Sequence, residues 1–173
     1  MNEDSCVPSG TLVGAANESF TVRFELNGER REVAVPARWT LADALREKLG
    51  VTGTHLGCEQ GVCGACTVLL DDEPVRSCLL LAIQADGKRV RTVEGLAKDG
   101  DCSALQQAFI DHHALQCGFC TPGFLMLATG LLEDDPDMDD ETLRESLSSN
   151  LCRCTGYQPI FDAVSAVREE GRA

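Results

Sequence analysis

The chain has 173 residues, of which 43% are hydrophobic, and it carries a formal net charge of −13 at pH 7. This length provides one ordinary domain or two small ones, and the hydrophobic fraction indicates a folded protein rather than a disordered one. The negative charge argues against binding to nucleic acid or to an anionic membrane surface, because both need a basic face. No run approaches the roughly 18 apolar residues that span a bilayer, so membrane insertion is not expected.

The first 17 residues are small and polar without periodicity, and a flexible tail is predicted over residues 1–17. They lack the basic and apolar segments of a secretory signal, so we expect a cytoplasmic protein. In that reducing compartment, a chain with ten cysteines is expected to use cysteines as metal ligands rather than in disulfides.

The first predicted domain spans residues 18–93 and begins with a hairpin. Its first segment, FTVRFEL, alternates apolar and polar residues, which is typical of a strand with one buried face. Asn27 and Gly28 follow, and both tolerate the positive φ angles of a tight turn. A return strand is therefore expected at residues 31–35.

A helix and further strands are expected in the rest of this domain. Thr40 is placed to cap a helix over LADALREKLG, with Asp43 at the capping-box position and Gly50 at the end. After a glycine-rich cysteine loop, strands are predicted at TVLL, at residues 75–83 and at KRVRTV. These elements predict an α+β domain in which the helix covers one face of a sheet.

From residue 101 onward, the apolar period changes from two residues to about 3.6. Four segments have this helical spacing: SALQQAFIDHHAL, TPGFLMLATGLLE, DETLRESLSSNL and TGYQPIFDAVSAVREE. Four helices with short connections predict a compact bundle over residues 101–173. Residues 94–100 are the expected linker between the two domains.

Eight of the ten cysteines fall into two sets of four, with the spacings C-x4-C-x2-C-x11-C and C-x2-C-x31-C-x-C. The first set is Cys58, Cys63, Cys66 and Cys78, and the second set is Cys117, Cys120, Cys152 and Cys154. The first spacing is that of plant-type [2Fe–2S] ferredoxins. Two one-electron centres in a short chain predict an electron-transfer function. The remaining Cys6 and Cys102 are expected to be free thiols.

Three glycines, Gly57, Gly61 and Gly64, bracket the ligands of the first set. Glycine accepts left-handed backbone angles and lets amides turn toward sulfur, so we expect these glycines to line the cluster.

In the second set, Thr121 and Thr155 each follow a cysteine pair directly. Threonine is a good N-cap, so each pair is expected just before a helix N-terminus, where the partial positive charge favours an anionic cluster. Spacing alone also leaves structural zinc open for the second set, because zinc takes four cysteines with a C-x2-C spacing.

The segments GCEQGVCGACTV, QCGFCTPG and NLCRCTGY together resemble the small iron–sulfur subunits of the molybdenum hydroxylases, the xanthine oxidase family. The resemblance covers about residues 18–170. It implies a β-grasp ferredoxin domain followed by a four-helix bundle, and it favours iron over zinc in the second set. The bacterial multi-subunit type, as in aerobic carbon monoxide dehydrogenases and aromatic or aldehyde oxidoreductases, is the nearest form. Glu59 stands where many members have glycine, which predicts a local difference in the first loop.

The resemblance also implies roles for the two cysteine sets. The first set would hold the cluster distal to molybdenum, and the second set would hold the proximal cluster. Gln116 and Cys154 would approach a molybdopterin held by a large partner subunit. FAD on a medium-sized partner subunit is the expected acceptor, within a dimer of heterotrimers.

No catalytic residue is expected in this chain, so the sequence leaves the substrate open among carbon monoxide, aldehydes, purines, N-heterocycles and hydroxybenzoyl thioesters. The alternative function is a stand-alone [2Fe–2S] electron carrier, which would not need the pterin-facing segments around Gln116 and Cys154.

Overall fold

The computed structural model describes residues 18–97 and 100–172, so the predicted tail at residues 1–17, with Cys6, lies outside the described residues. A five-stranded sheet comes first in the chain, and helices follow it. The strands are β1 (Ser19–Leu26), β2 (Glu29–Pro36), β3 (Thr67–Leu70), β4 (Glu73–Arg76) and β5 (Arg89–Arg91). Their order across the sheet is β2-β1-β5-β3-β4, in which β1 and β5 are parallel and the other neighbours are antiparallel.

The predicted hairpin is confirmed. Asn27 and Gly28 have φ angles of 51° and 87°, and β1 pairs with β2 along its whole length. Val22, Phe24 and Leu26 alternate on the buried face of β1, as the sequence period requires.

The predicted helix begins with α1 (Leu41–Asp43) and continues as a π-helix, Ala44–Lys48. Its capping box is confirmed, because the Asp43 N–H donates to Thr40 Oγ1 at 3.1 Å and the Thr40 N–H donates to the Asp43 carboxylate at 2.9 Å. Leu41 and Leu45 are fully buried and pack with the apolar face of the sheet.

The strand predicted at residues 75–83 is wrong beyond Arg76. The chain leaves the sheet there and forms a 3₁₀-helix at Ala82–Ala85. The intervening segment hydrogen-bonds to the start of α1 instead, since the Leu41 N–H donates to the Leu80 carbonyl at 2.7 Å. This departure buries Cys78 beside Cys66 beneath the first cysteine loop.

The four predicted helices are confirmed as α2 (Ala104–Asp111), α3 (Thr121–Asp134), α4 (Asp140–Leu147) and α5 (Gln158–Arg172). Their core includes Phe109, Phe124, Leu143 and Ile160, which are all buried. In the described part of the chain, none of these helices combines the length and the apolar character needed to cross a membrane.

Buried apolar residues form one core among the strands and α1 and another among α2 to α5. The division at residues 94–100 stays a prediction, and Val93 and Leu96 pack against the helical core.

Helix α3 joins the two cores because it lies against β3 and β4. Small residues allow the close approach: a Cβ on Gly123 would overlap the Gly64 carbonyl, and one on Gly130 would overlap Pro74. The Arg91 guanidinium also donates to both Glu133 carboxylate oxygens, at 2.6 and 2.9 Å. This packing brings the N-terminal end of α3 against the first cysteine loop.

Candidate metal centres

The first cysteine set lies in the loop between α1 and β3, with Cys78 supplied after β4. Its sulfurs form an outer and an inner pair. The outer pair, Cys58 and Cys63, is partly exposed, and the inner pair, Cys66 and Cys78, is buried.

Hydrogen bonding lowers the pKa of one cysteine in the outer pair, and burial raises the pKa of one cysteine in the inner pair. Backbone N–H groups of Cys63 and Gln60 donate to the Cys58 sulfur at 3.3 and 3.4 Å and lower the pKa of Cys58 to about 7. Burial, with a hydrogen bond to Cys66, raises the pKa of Cys78 to about 11. Amide donors at the outer pair therefore favour the thiolate form that an iron–sulfur cluster requires.

The glycines of this loop lie around the sulfurs. A Cβ on Gly57 would lie 3.1 Å from Cys63 Sγ. Gly61 and Gly64 have φ angles of 79° and 71°, which side chains other than glycine rarely adopt. Glu59 has a φ of 52°, so the residue that replaces a glycine of the family pattern holds a conformation that favours glycine. The role of these glycines in holding a cluster stays a prediction.

The second set is divided between two loops, one before α3 and one between α4 and α5. Here too the sulfurs form two pairs. Cys117 and Cys154 are exposed, with their sulfurs 3.7 Å apart. Cys120 and Cys152 lie deeper, and burial, with a hydrogen bond between these two thiols, raises the pKa of Cys120 to about 12.

This arrangement of donors fits two-iron clusters. Within residues 18–97 and 100–172 the cysteines are free thiols. In the same residues, no group of three or more His, Cys, Asp or Glu side chains is arranged to hold a single metal ion. In both sets the sulfurs are paired two and two, as the two irons of a [2Fe–2S] cluster need, whereas zinc needs all four around a single ion. Thr121 Oγ1, next to Cys120, is buried without a hydrogen-bond partner, which is a polar atom that a bound cluster would satisfy.

The predicted roles of the two threonines as N-caps are wrong. Cys120 occupies the cap position of α3, and Thr121 is the first residue of that helix. Helix α5 begins only at Gln158, because the chain first turns through positive φ angles at residues 156–157. Thr155 donates to the Cys152 sulfur instead, from its N–H at 3.4 Å and from its hydroxyl at 3.1 Å. Cys117 and Cys120 therefore lead directly into a helix N-terminus, whereas Cys152 and Cys154 do not.

The two sites are in direct contact. The Leu151 N–H, next to Cys152, donates to the Cys63 carbonyl at 2.9 Å. His55 stacks on Phe119 with ring centroids 5.0 Å apart, and its Nδ1 lies 2.8 Å from the Phe119 carbonyl. The sequence alone does not reveal these contacts, because they join residues far apart in the chain.

Asn150 is a second feature that the sequence analysis missed. It is 1% exposed, and neither polar atom of its side chain has a hydrogen-bond partner in the described structure. It lies against Gly64 of the first loop, and it precedes Cys152 by two residues. The signal available in the sequence was an asparagine just before a ligand pair.

Gln116 links the two halves of the second site. Its Nε2 donates to the Cys154 carbonyl at 3.1 Å, and both residues are exposed beside Cys117. Three residues next to Gln116 or to cysteines of this set in the chain are exposed and apolar: Leu115, Phe119 and Leu151. The structure thus brings Gln116 and Cys154 together at one accessible face.

Comparison with known proteins agrees with this geometry. Residues 24–105 match the model of a 2Fe-2S iron-sulfur cluster binding domain, and residues 92–165 match the model of a [2Fe-2S] binding domain. The nicotine 6-hydroxylase small subunit of Paenarthrobacter nicotinovorans is 64% identical over 148 residues, which cover 86% of this chain and 89% of that protein. The chain belongs to the small iron–sulfur subunits of the molybdenum hydroxylases.

Other members of the family support the same assignment. Caffeine dehydrogenase subunit gamma of Pseudomonas sp. strain CBB1 is 55% identical, covering 86% of this chain and 91% of that one. The structure of quinoline 2-oxidoreductase from Pseudomonas putida 86 superposes with a TM-score of 0.86 at 51% identity, covering 90% of this chain and 97% of that one. This small iron–sulfur subunit therefore has the β-grasp ferredoxin and four-helix fold, and it is a non-catalytic, electron-transfer subunit of an oxidoreductase that binds [2Fe–2S] clusters.

Replacing Gly64 with alanine should destabilise the first loop beyond the effect of its backbone angle alone. Gly64 and Gly87 have similar φ angles of 71° and 75°, but an alanine Cβ would meet Asn150 only at residue 64. We expect Gly64→Ala to cost about 1–3 kcal/mol more than Gly87→Ala and to reduce bound iron. Chemical denaturation and iron analysis measure both effects. Equal stability and iron content in the two variants would contradict the close contact between the loops.

Proposed function

We propose that this chain carries electrons, one at a time, from a molybdenum active site on a large partner subunit to FAD on a medium-sized partner subunit. The observation that carries the proposal is the hydrogen bond between the Leu151 N–H and the Cys63 carbonyl, because it joins the two cysteine sites in series. A stand-alone carrier is the weaker function, because the two relatives described above, from nicotine 6-hydroxylase and caffeine dehydrogenase, are both named as subunits.

The ligand sets follow from the paired sulfurs. The first set, Cys58, Cys63, Cys66 and Cys78, would hold the cluster distal to molybdenum. The second set, Cys117, Cys120, Cys152 and Cys154, would hold the proximal cluster. When bound, each [2Fe–2S] cluster accepts and releases one electron. In each set the outer pair would bind one iron and the inner pair the other.

The order of the pairs supports a path from the second site to the first. Cys117 and Cys154 form the exposed end, and Cys120 and Cys152 lie behind them. Leu151 precedes Cys152 in the chain, and its N–H donates to the Cys63 carbonyl of the first site. Electrons would therefore enter at the exposed pair of the second site and leave at the first site.

The partner surfaces follow from exposed apolar residues next to each site. The large subunit would cover the exposed apolar residues Leu115, Phe119 and Leu151, exclude water from the exposed sulfurs and bring its molybdopterin to Gln116. Beside the first site, Val62 and Leu79 are about 60% exposed and would contact the FAD subunit. The assembly expected from the family is a dimer of such heterotrimers.

The substrate class is inferred from similarity alone, because this chain is a non-catalytic subunit. Relatives at 64%, 55% and 47% identity are named for nicotine, caffeine and nicotinate. All three compounds are N-heterocycles, so we infer that the holoenzyme acts on an N-heterocycle.

Metal analysis tests the two-cluster assignment directly. Eight paired thiolates should hold about four irons per chain, and the reduced protein should give two distinct rhombic EPR signals. The signals should differ because the surroundings of the two sites differ. One site lies in a loop whose backbone amides donate to sulfur, and the other is divided between two loops of the helical domain. Zinc in place of iron, or one signal with half the iron, would contradict the proposal.

The contact between Gln116 and the pterin is tested by Gln116→Ala. Its hydrogen bond to Cys154 is exposed and worth roughly 0.5–1.5 kcal/mol, so both clusters should survive the change. Molybdopterin occupancy, or the rate at which substrate reduces the proximal cluster, should fall several-fold.

Gln107→Ala is the matched control, because Gln107 is exposed on α2 and its side chain donates to Asp111 on the same helix. Native occupancy and native rate in Gln116→Ala would show that another residue makes the pterin contact.

A further inference from the structure

The loop between α4 and α5 closes a ring of hydrogen bonds around one sulfur. The Thr155 hydroxyl and the Thr155 N–H both donate to Cys152 Sγ, at 3.1 and 3.4 Å. The Tyr157 N–H donates to Thr155 Oγ1 at 3.2 Å. The Cys152 N–H donates to Tyr157 Oη at 3.1 Å, which completes the ring.

This ring fixes where the Thr155 hydroxyl hydrogen points. A thiolate carries no hydrogen, so the Cys152 sulfur of a cluster can only accept. The Tyr157 N–H occupies a lone pair of Thr155 Oγ1 from the other side. The single hydroxyl hydrogen is therefore directed at the sulfur.

Tyr157 is itself held in place. Its ring packs edge-on against Phe124, with centroids 6.3 Å apart and an angle of 69° between the ring planes, and Phe124 is fully buried in the helical core. Its backbone has a positive φ of 71°, so the turn that precedes α5 delivers the N–H to Thr155 and the hydroxyl to the Cys152 amide. Tyr157 positions Thr155 rather than touching the sulfur.

We propose that Thr155, oriented by Tyr157, raises the reduction potential of the cluster held by the second cysteine set. This inference rests on the ligand assignment in the proposed function. A cluster held there would gain one negative charge with each electron from the molybdenum centre of the partner subunit, and it would lose that charge when the electron passes to the first site. Hydrogen bonds to a ligand sulfur stabilise the more negative, reduced form most, and they act strongly where the sulfur is buried, as at Cys152.

The consequence is a difference between the two sites. At the first site, backbone amides donate to the Cys58 sulfur at 3.3 and 3.4 Å, whereas Cys152 receives a hydroxyl at 3.1 Å in addition to an amide. The hydroxyl is the donor that a single side-chain substitution can remove. Thr155 is thus a tuning residue for the site that first receives the electron.

An EPR-monitored redox titration of the holoenzyme tests this role. Thr155→Val keeps the shape of the side chain and removes the hydroxyl, so at a fixed potential the ratio of reduced to oxidised proximal cluster should fall several-fold. A tenfold fall corresponds to about 59 mV for a one-electron couple. Thr155→Ser restores a hydroxyl and should titrate close to the native protein. Thr155→Ala removes the hydroxyl without branching and should shift the titration in the same direction as valine.

Two internal references separate tuning from a general structural effect. The signal of the distal cluster should titrate as in the native protein in every variant. Thr129→Val removes another buried hydroxyl, which bonds to the Leu125 carbonyl within α3, and it should leave both signals unchanged.

Native titration of the proximal signal in both Thr155→Val and Thr155→Ala, with iron content intact, would overturn this inference and leave the proposed function standing. Absence of two EPR signals from the native holoenzyme would instead overturn the ligand assignment, and this inference with it.

Discussion

The contact between the two cysteine loops is the constraint on which the rest of the structure depends. One loop belongs to the sheet and the other begins the segment before α5, yet the Leu151 N–H donates directly to the Cys63 carbonyl. Helix α3 makes this contact available because Gly123 lets its first turn lie against the Gly64 carbonyl. A side chain at either glycine would separate the two loops. The packing of the two cores therefore also sets the spacing between the two sites.

Both sites solve the same electrostatic difficulty in different ways. A cluster with four thiolates is anionic, and this chain already carries a net charge of −13, so donors must be aimed at the sulfurs. The first site uses the amides of a tight loop, for which Gly61 and Gly64 supply the backbone angles. The second site uses the N–H and the hydroxyl of Thr155, which both donate to the Cys152 sulfur. In each site one sulfur pair is shielded and the other faces outward.

Local signals in the sequence predicted the elements that local interactions form. The turn at Asn27 and the box between Thr40 and Asp43 need only neighbouring residues, and both are present. The cysteine spacing likewise divided eight cysteines into two sets, and the structure pairs sulfurs within each set. Thr155 misled the prediction, because the same hydroxyl can cap a helix or bond a sulfur, and only the turn at Tyr157 decides between them.

Interactions between distant segments could not be predicted in this way. The strand expected at residues 75–83 stops early because the chain turns to place Cys78 beside Cys66. Strand propensity does not predict this contact. The buried amide of Asn150 and the stacking of His55 on Phe119 depend on how α3 packs on the sheet. Such contacts connect the two sites, and they form only when the chain is folded.

The claim that electrons pass through the two sites in series is tested most directly by Cys63→Ser in the holoenzyme. Rapid-freeze EPR after addition of substrate should show the proximal cluster reduced at the native rate, while reduction of the flavin or the final acceptor becomes much slower. Cys102→Ser, which removes an exposed cysteine outside both sets, should behave as the native enzyme. Unchanged reduction of the acceptor in Cys63→Ser would show that electrons reach it without passing through the first site.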